Sequence, residues 1–162
     1  MIYLLLINLN LMKKYNINKK GFTLIEILVV IGIIAVLAAV VLVAINPARQ
    51  FKLARDSQRV ANVTAILNAV GQNMAENRGI FQCSVSLAST SKNISSILGD
   101  ADIASCLVPT YVSSLPFDPS KTGAKFVSVL DYDTKYQISQ DSDGRVKVSA
   151  VGEINPDISV TR

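Results

Sequence analysis

The chain has 162 residues, half of them hydrophobic, and contains neither histidine nor tryptophan. Its formal charge of +4 is 16 basic minus 12 acidic residues, but Lys13, Lys14, Lys19 and Lys20 all precede Gly21 with no acidic residue among them, so the remainder balances at 12 against 12. A nucleic-acid footprint, which needs a basic patch on the folded domain, is therefore not indicated. With no histidine, nucleophile elbow, phosphate loop or cofactor motif, the usual means of catalysis are missing as well.

The opening stretch Met1 to Met12, MIYLLLINLNLM, is apolar, and Met12 is an alternative start that leaves MKKYNINKKG as a short polar leader. The four lysines hold this segment in the cytoplasm by the positive-inside rule and send the C-terminal bulk outward. Phe22 to Ile45 follows as a run of 24 residues that is apolar except near its start, long enough to cross a bilayer as a helix, which takes about 20. Its single charge is Glu26. A carboxylate at that depth is costly and is a functional hypothesis by default, with a cation or strong donor to be found. The free N–H groups and dipole of the helix beginning at Phe22 help, though incompletely. Cleavage between Gly21 and Phe22 would create an α-amino group at Phe22, a cation at the depth of Glu26 in an adjacent copy. An ordinary secretory signal has a shorter apolar core, with its cleavage site after that core. A plain anchor leaves both Glu26 and the Gly21 junction unexplained.

Within the span, Gly32, Ala35, Ala38 and Ala39 are small residues at helical spacing that let neighbouring helices approach. Asn46-Pro47 ends the apolar zone and predicts a bend or local melting. Beyond it, Phe51, Ala54, Val60, Val63, Ile66, Leu67, Val70 and Met74 recur at helical spacing, with Arg49, Lys52, Arg55, Asp56, Gln58 and Arg59 mostly opposite, predicting an amphipathic stem capped by Gly79. The serine-rich stretch Ser84 to Ser96 reads as a long connecting loop with one short helix near Ile94 to Leu98. Cys83 and Cys106 flank this region; two cysteines in an exported segment favour one disulfide, with two free thiols as the alternative. Three strands are predicted, Lys125 to Leu130, Lys135 to Gln140 and Arg145 to Val151, the last two joined by the turn Asp141-Ser142-Asp143-Gly144. Their buried face is expected against Val60, Val63, Leu67 and Val70.

Lys19-Lys20-Gly21 followed by Phe-Thr-Leu-Ile-Glu-Ile-Leu-Val-Val-Ile resembles the class III signal sequence of type IV pilins and the pseudopilins of type II secretion. The motif covers about a dozen residues; Leu115-Pro116-Phe117-Asp118-Pro119 and the sheet after it are similar to the family's head more weakly. The resemblance implies a prepilin peptidase that cuts between Gly21 and Phe22, N-methylation of Phe22, and Glu26 as the carboxylate that guides subunit docking. It also implies self-association into a helical filament with other pilin-like subunits, an inner-membrane assembly platform, and membrane lipid around the helix before assembly. The expected fold class is α+β: a long N-terminal helix, transmembrane in its first half and amphipathic in its second, packed on a small C-terminal antiparallel sheet. The boundaries are 1–21 for the cleaved leader, 22–45 for the filament-core helix, 46–78 for the stem, 79–124 for the connecting loop and 125–162 for the sheet.

Some related pseudopilins bind calcium in loops of this sheet, and Asp131, Asp133, Asp141 and Asp143 offer oxygens. Aspartate in tight turns has an ordinary backbone explanation, however, and the twelve-residue calcium-loop spacing is not met. The functional expectation is a structural subunit of a type IV pilus-like filament, anchored with its N-terminus in the cytoplasm and its head exported to the cell surface or periplasm. The alternatives are a type II secretion pseudopilin or, from a different class, a membrane-anchored extracellular binding module.

Overall fold

A computed structural model describes residues 21–162; the leader lysines and the alternative start at Met12 lie outside the described residues. Two units are distinguished, one ending at Ile45 and one running from Asn46 to Arg162. The described part of the first is residues 21–23 followed by helix α1, Leu24–Ile45, 22 residues without one buried side chain. At about 1.5 Å per residue it is about 33 Å long, a match to the roughly 30 Å hydrocarbon core of a bilayer.

The second unit begins with a helix break. Asn46 takes φ 47° and accepts the Arg49 N–H on its side-chain oxygen, and Pro47 opens helix α2, Pro47–Glu76. Asparagine is one of the few residues that tolerates the left-handed region, and proline at the first helical position gives up an N–H that would have no partner anyway. At this position, where a bend or local melting is expected, one helix ends and another starts. At the far end Asn77, not Gly79, is the cap residue. Gly79, at φ 85°, donates to the Met74 carbonyl at 2.8 Å just beyond it.

Among the described residues the sheet has five antiparallel strands rather than three. These are β1 Lys92–Ser95, β2 Lys125–Ser128, β3 Asp131–Gln140, β4 Val146–Ala150 and β5 Ile158–Thr161. Their order is β1-β3-β4-β5, with β2 also on β3. β1 arises inside the serine-rich stretch expected to be a loop, pairing Lys92 with Ile138 and Asn93 with Gln137. The helix expected near Ile94 to Leu98 is absent; Ile94 is fully buried in the core, and the short helix, α3, lies at Ala104–Leu107 instead. Four residues between polar neighbours are too few to show alternation, which hides β1 from a pattern search. β3 starts four residues earlier than predicted because Lys135 sits at φ 61° within it. That bulge breaks the two-residue period, leaving Tyr132, Asp133 and Thr134 all buried in succession before Tyr136 and Ile138 restore alternation.

Val63, Ile66, Leu67 and Val70 of α2 enter one core with Ile94, Ile103, Leu107, Leu115, Tyr132, Tyr136, Ile138, Val146 and Val148. Val60 does not join them as expected: it is 47% exposed, and Phe51 is 64% exposed. Cys83 and Cys106 form a disulfide that ties the start of the connecting segment to α3. Asn73, buried on α2, reinforces the same region by accepting the Gln82 N–H at 2.8 Å and donating to the Gln82 carbonyl at 3.2 Å. Because Ile66 is fully enclosed, Ile66→Ala is expected to lower unfolding stability by about 2 to 5 kcal/mol, measured by urea denaturation of the oxidised protein.

Candidate functional site

Gly21, Phe22 and Thr23 precede α1 and lie outside any regular element, and Phe22 is 84% exposed. The Gly21–Phe22 peptide bond is thus in an open segment, and a Cβ built on Gly21 would meet nothing within 4 Å. Among the described residues, packing therefore does not require glycine at this position.

Glu26 stands one turn inside the helix and closes a reciprocal box with Thr23. The Thr23 N–H and hydroxyl both donate to Glu26 Oε2, each at 2.8 Å. In return the Glu26 N–H donates to Thr23 Oγ1 at 3.2 Å. This is the Thr-x-x-Glu capping box, which satisfies two of the N–H groups left over at a helix start. It also identifies a donor pair for the carboxylate that periodicity alone does not reveal, although the spacing of Thr23 and Glu26 is its signature. Oε1 has no donor among the described residues. α1 therefore presents an apolar cylinder with one open carboxylate oxygen near its N-terminal end.

The aspartates weighed as calcium ligands are not brought together. Asp131 pairs with Lys125 and Asp133 with Lys135. Asp141 accepts the N–H groups of Asp143 and Arg145 at 3.0 and 2.8 Å, holding its own turn, in which Gly144 takes φ 82°. No group of three or more potential metal ligands occurs among the described residues.

Residues assigned to the polar side of the stem form the most connected polar site in the head. Asp56 and Arg59 are both buried. Arg59 makes a two-pronged contact with Asp118, Nε to Oδ2 at 2.7 Å and Nη2 to Oδ1 at 3.0 Å, and donates through Nη1 to Asp56 at 2.7 Å. Asp56 also accepts the backbone N–H groups of Glu153, Ile154 and Asn155 at 2.8, 2.8 and 3.1 Å. Glu153 bridges Arg55 and Arg59. The cluster thereby fastens two loops, 118–121 and 152–155, to the stem. Gly152 is needed for this closure, because a Cβ there would collide with the Asn155 carbonyl and with Asp56 Oδ1. The stripe Asp56, Arg59, Val63, Ile66, Val70, Asn73 runs at spacings of three and four, so extending the apolar face toward the helix start would have found the two charged members.

Burial pushes Asp56 and Asp118 toward higher pKa. The N–H groups of 153–155 with Arg59 at Asp56, and Arg59 with the N–H groups of Ser120 and Lys121 at Asp118, outweigh it and leave both below the ordinary carboxylate value. Glu153 is lowered to about 2, first by Arg55. Groups whose folded pKa is depressed stabilise the fold above their unfolded value, about 4, and lose that contribution as pH falls through the folded value. The thermal midpoint is therefore expected to hold near neutrality and to fall progressively from about pH 5 to about pH 2. In Arg59→Met, where two buried carboxylates lose their cation, stability at neutral pH is expected to drop by about 3 to 5 kcal/mol. Both are read by calorimetry, and a variant as stable as wild type would show that the cluster does not hold the head together.

No curated protein and no solved structure matches the chain. Residues 16–42 match the family model of the prokaryotic N-terminal methylation motif, a stretch that includes Gly21, Phe22, Thr23 and Glu26 and most of α1. With an exposed glycine junction, an apolar helix and a carboxylate one turn inside it, the chain carries the class III signal sequence of type IV pilins and pseudopilins.

Proposed function

We propose that this protein is a structural subunit of a type IV pilus-like filament, inserted with its N-terminus in the cytoplasm and its head exported. In this reading a prepilin peptidase cleaves it between Gly21 and Phe22, and Phe22 is then N-methylated. The motif at residues 16–42 supports a pilin-like or pseudopilin subunit in general. The observation that carries the filament reading is α1 itself: 22 residues with no buried side chain and one carboxylate that keeps an unoccupied oxygen.

The proposed mechanism follows from what each state leaves uncovered. Before assembly, lipid covers the apolar surface of α1, and Thr23 supplies Glu26 with the only donors the described residues offer. Hydrolysis of the Gly21–Phe22 bond releases a carboxylate on Gly21 and an amine on Phe22, which is protonated at neutral pH and keeps its charge after methylation. When two copies come together, the Phe22 ammonium of one meets Glu26 Oε1 of the other, and α1 exchanges lipid contact for contact with other helices. Apolar contact is similar in both settings, so the ion pair sets the register while packing of small residues such as Gly32 and Ala35 sets the approach. The inner-membrane assembly platform would deliver subunits to this contact.

Intact mass and N-terminal sequencing of protein from cells with a prepilin peptidase are expected to give a chain beginning at N-methylated Phe22. In the same cells Glu26→Leu is expected to insert and be cleaved normally but to lower filament yield about tenfold or more. Replacement of Gly21 by a bulky residue is expected to block cleavage. Normal filament yield from Glu26→Leu would remove the docking role. An intact leader on the wild-type chain would instead favour a tethered binding module.

A further inference from the structure

Of the four cations in the first half of the stem, Arg55 and Arg59 are consumed by Glu153, Asp56 and Asp118. Arg49 and Lys52 are exposed and have no ion-pair partner among the described residues. Between them lies Phe51, an aromatic ring 64% exposed at a position where helical periodicity predicts a core residue. All three sit within seven residues of the last residue of α1. At helical rise Arg49 lies about 6 Å and Lys52 about 10 Å of chain beyond Ile45, while the headgroup layer on each side of the hydrocarbon is about 5 to 7 Å thick. Once α1 spans a bilayer, chain connectivity keeps Arg49 near headgroup level and Phe51 and Lys52 close enough for long side chains to reach back to it.

The charge distribution makes these residues unusual. Basic residues within about 15 to 20 positions of a span favour the cytoplasmic side, yet Arg49, Lys52, Arg55 and Arg59 on the other flank equal in number the four lysines before Gly21. Two of the four are neutralised inside the head, and the two that are not stand nearest the membrane. Phosphate groups of anionic lipids supply the complementary charge, and the headgroup boundary suits an exposed aromatic side chain.

We propose that Arg49, Phe51 and Lys52 form a lipid-headgroup contact on the exported side of the membrane, the cations on anionic phospholipid phosphates and the ring at the boundary below them. This contact rests on α1 spanning the membrane. It gives the unassembled subunit a polar attachment at the end of α1 opposite Glu26, and that attachment must be released when the subunit leaves the bilayer.

Because the chain has no tryptophan, Phe51→Trp provides a site-specific probe in the full chain reconstituted into phosphatidylcholine vesicles with and without phosphatidylglycerol. Blue-shifted emission is expected, with brominated phosphatidylglycerol enriched over brominated phosphatidylcholine around the probe by about five- to thirtyfold, the factor that one or two interfacial cations supply. Adding Arg49→Gln and Lys52→Gln, or raising salt, is expected to abolish the enrichment, and inorganic phosphate at matched ionic strength is expected to compete no better than chloride. Water-like emission in both vesicle types would overturn the proposal. So would an enrichment that survives charge removal, or a blue shift that vanishes when the protein is diluted in lipid, which would assign the surface to a second copy. Val36→Trp, midway along α1, reports on the span independently of the headgroup contact. If it reports burial in lipid while the Phe51→Trp probe stays in water, the headgroup contact fails alone; if it too reports water, the membrane-spanning reading fails and takes this contact with it.

Discussion

An apolar helix with no buried side is the constraint on which the rest of this molecule depends. Among the described residues nothing buries a side chain of α1, and an all-apolar helix has to be buried by something. Two environments can do this with similar apolar contact, a bilayer and a bundle of like helices, so apolar contact alone does not favour one over the other. What distinguishes them is polar. Glu26, with one oxygen held by Thr23 and the other open, is satisfied only in part by its own helix, and partial satisfaction leaves the carboxylate responsive to an incoming cation. The capping box thus moderates the penalty of the charge in apolar surroundings while leaving one carboxylate oxygen free to accept a further donor.

The head meets a different demand, to be rigid on a small core. Its hydrophobic cluster occupies the C-terminal half of α2, and where that cluster ends the same helix face continues as Asp56 and Arg59. A buried guanidinium satisfied by Asp118, Asp56 and Glu153 takes over the role that leucine or valine plays further along. Buried ion pairs of this kind are weak evidence of net stability, but they are directional. A two-pronged Arg59–Asp118 contact and three backbone N–H groups on Asp56 fix where two loops lie in a way that apolar packing does not. The disulfide and Asn73 perform a comparable task at the other end of the stem.

How much of this can be read from the sequence varies with the length of the pattern. The span, its lone carboxylate and the glycine junction are written as a continuous run with one exception in it, which leaves little room for ambiguity. The stem and the β3–β4 hairpin are legible because each repeats its period several times. Strands β1 and β5 are four residues long, too short to announce themselves, and the start of β3 is concealed because Lys135 interrupts its alternation at a bulge. The charged cluster is hidden for a different reason. Asp56 and Arg59 look like solvated stem residues until Asp118 and Glu153, about 60 and 100 positions away, are known to converge on them, and no local pattern carries that information. Thr23 is a milder case: its spacing from Glu26 is a recognised helix-start signal, but a carboxylate in an apolar span has a second meaning that masks its part in a cap.

The helix break at Asn46 and Pro47 has a consequence for the order in which the protein is made. Helix formation is limited by nucleation, and α2 carries its own start signal in the Asn46 cap and the proline that follows it. Its hydrogen-bond ladder does not grow out of α1. The apolar helix and the domain beyond it can therefore form as separate units, so folding of the head and closure of its disulfide do not require α1 to have reached its final surroundings.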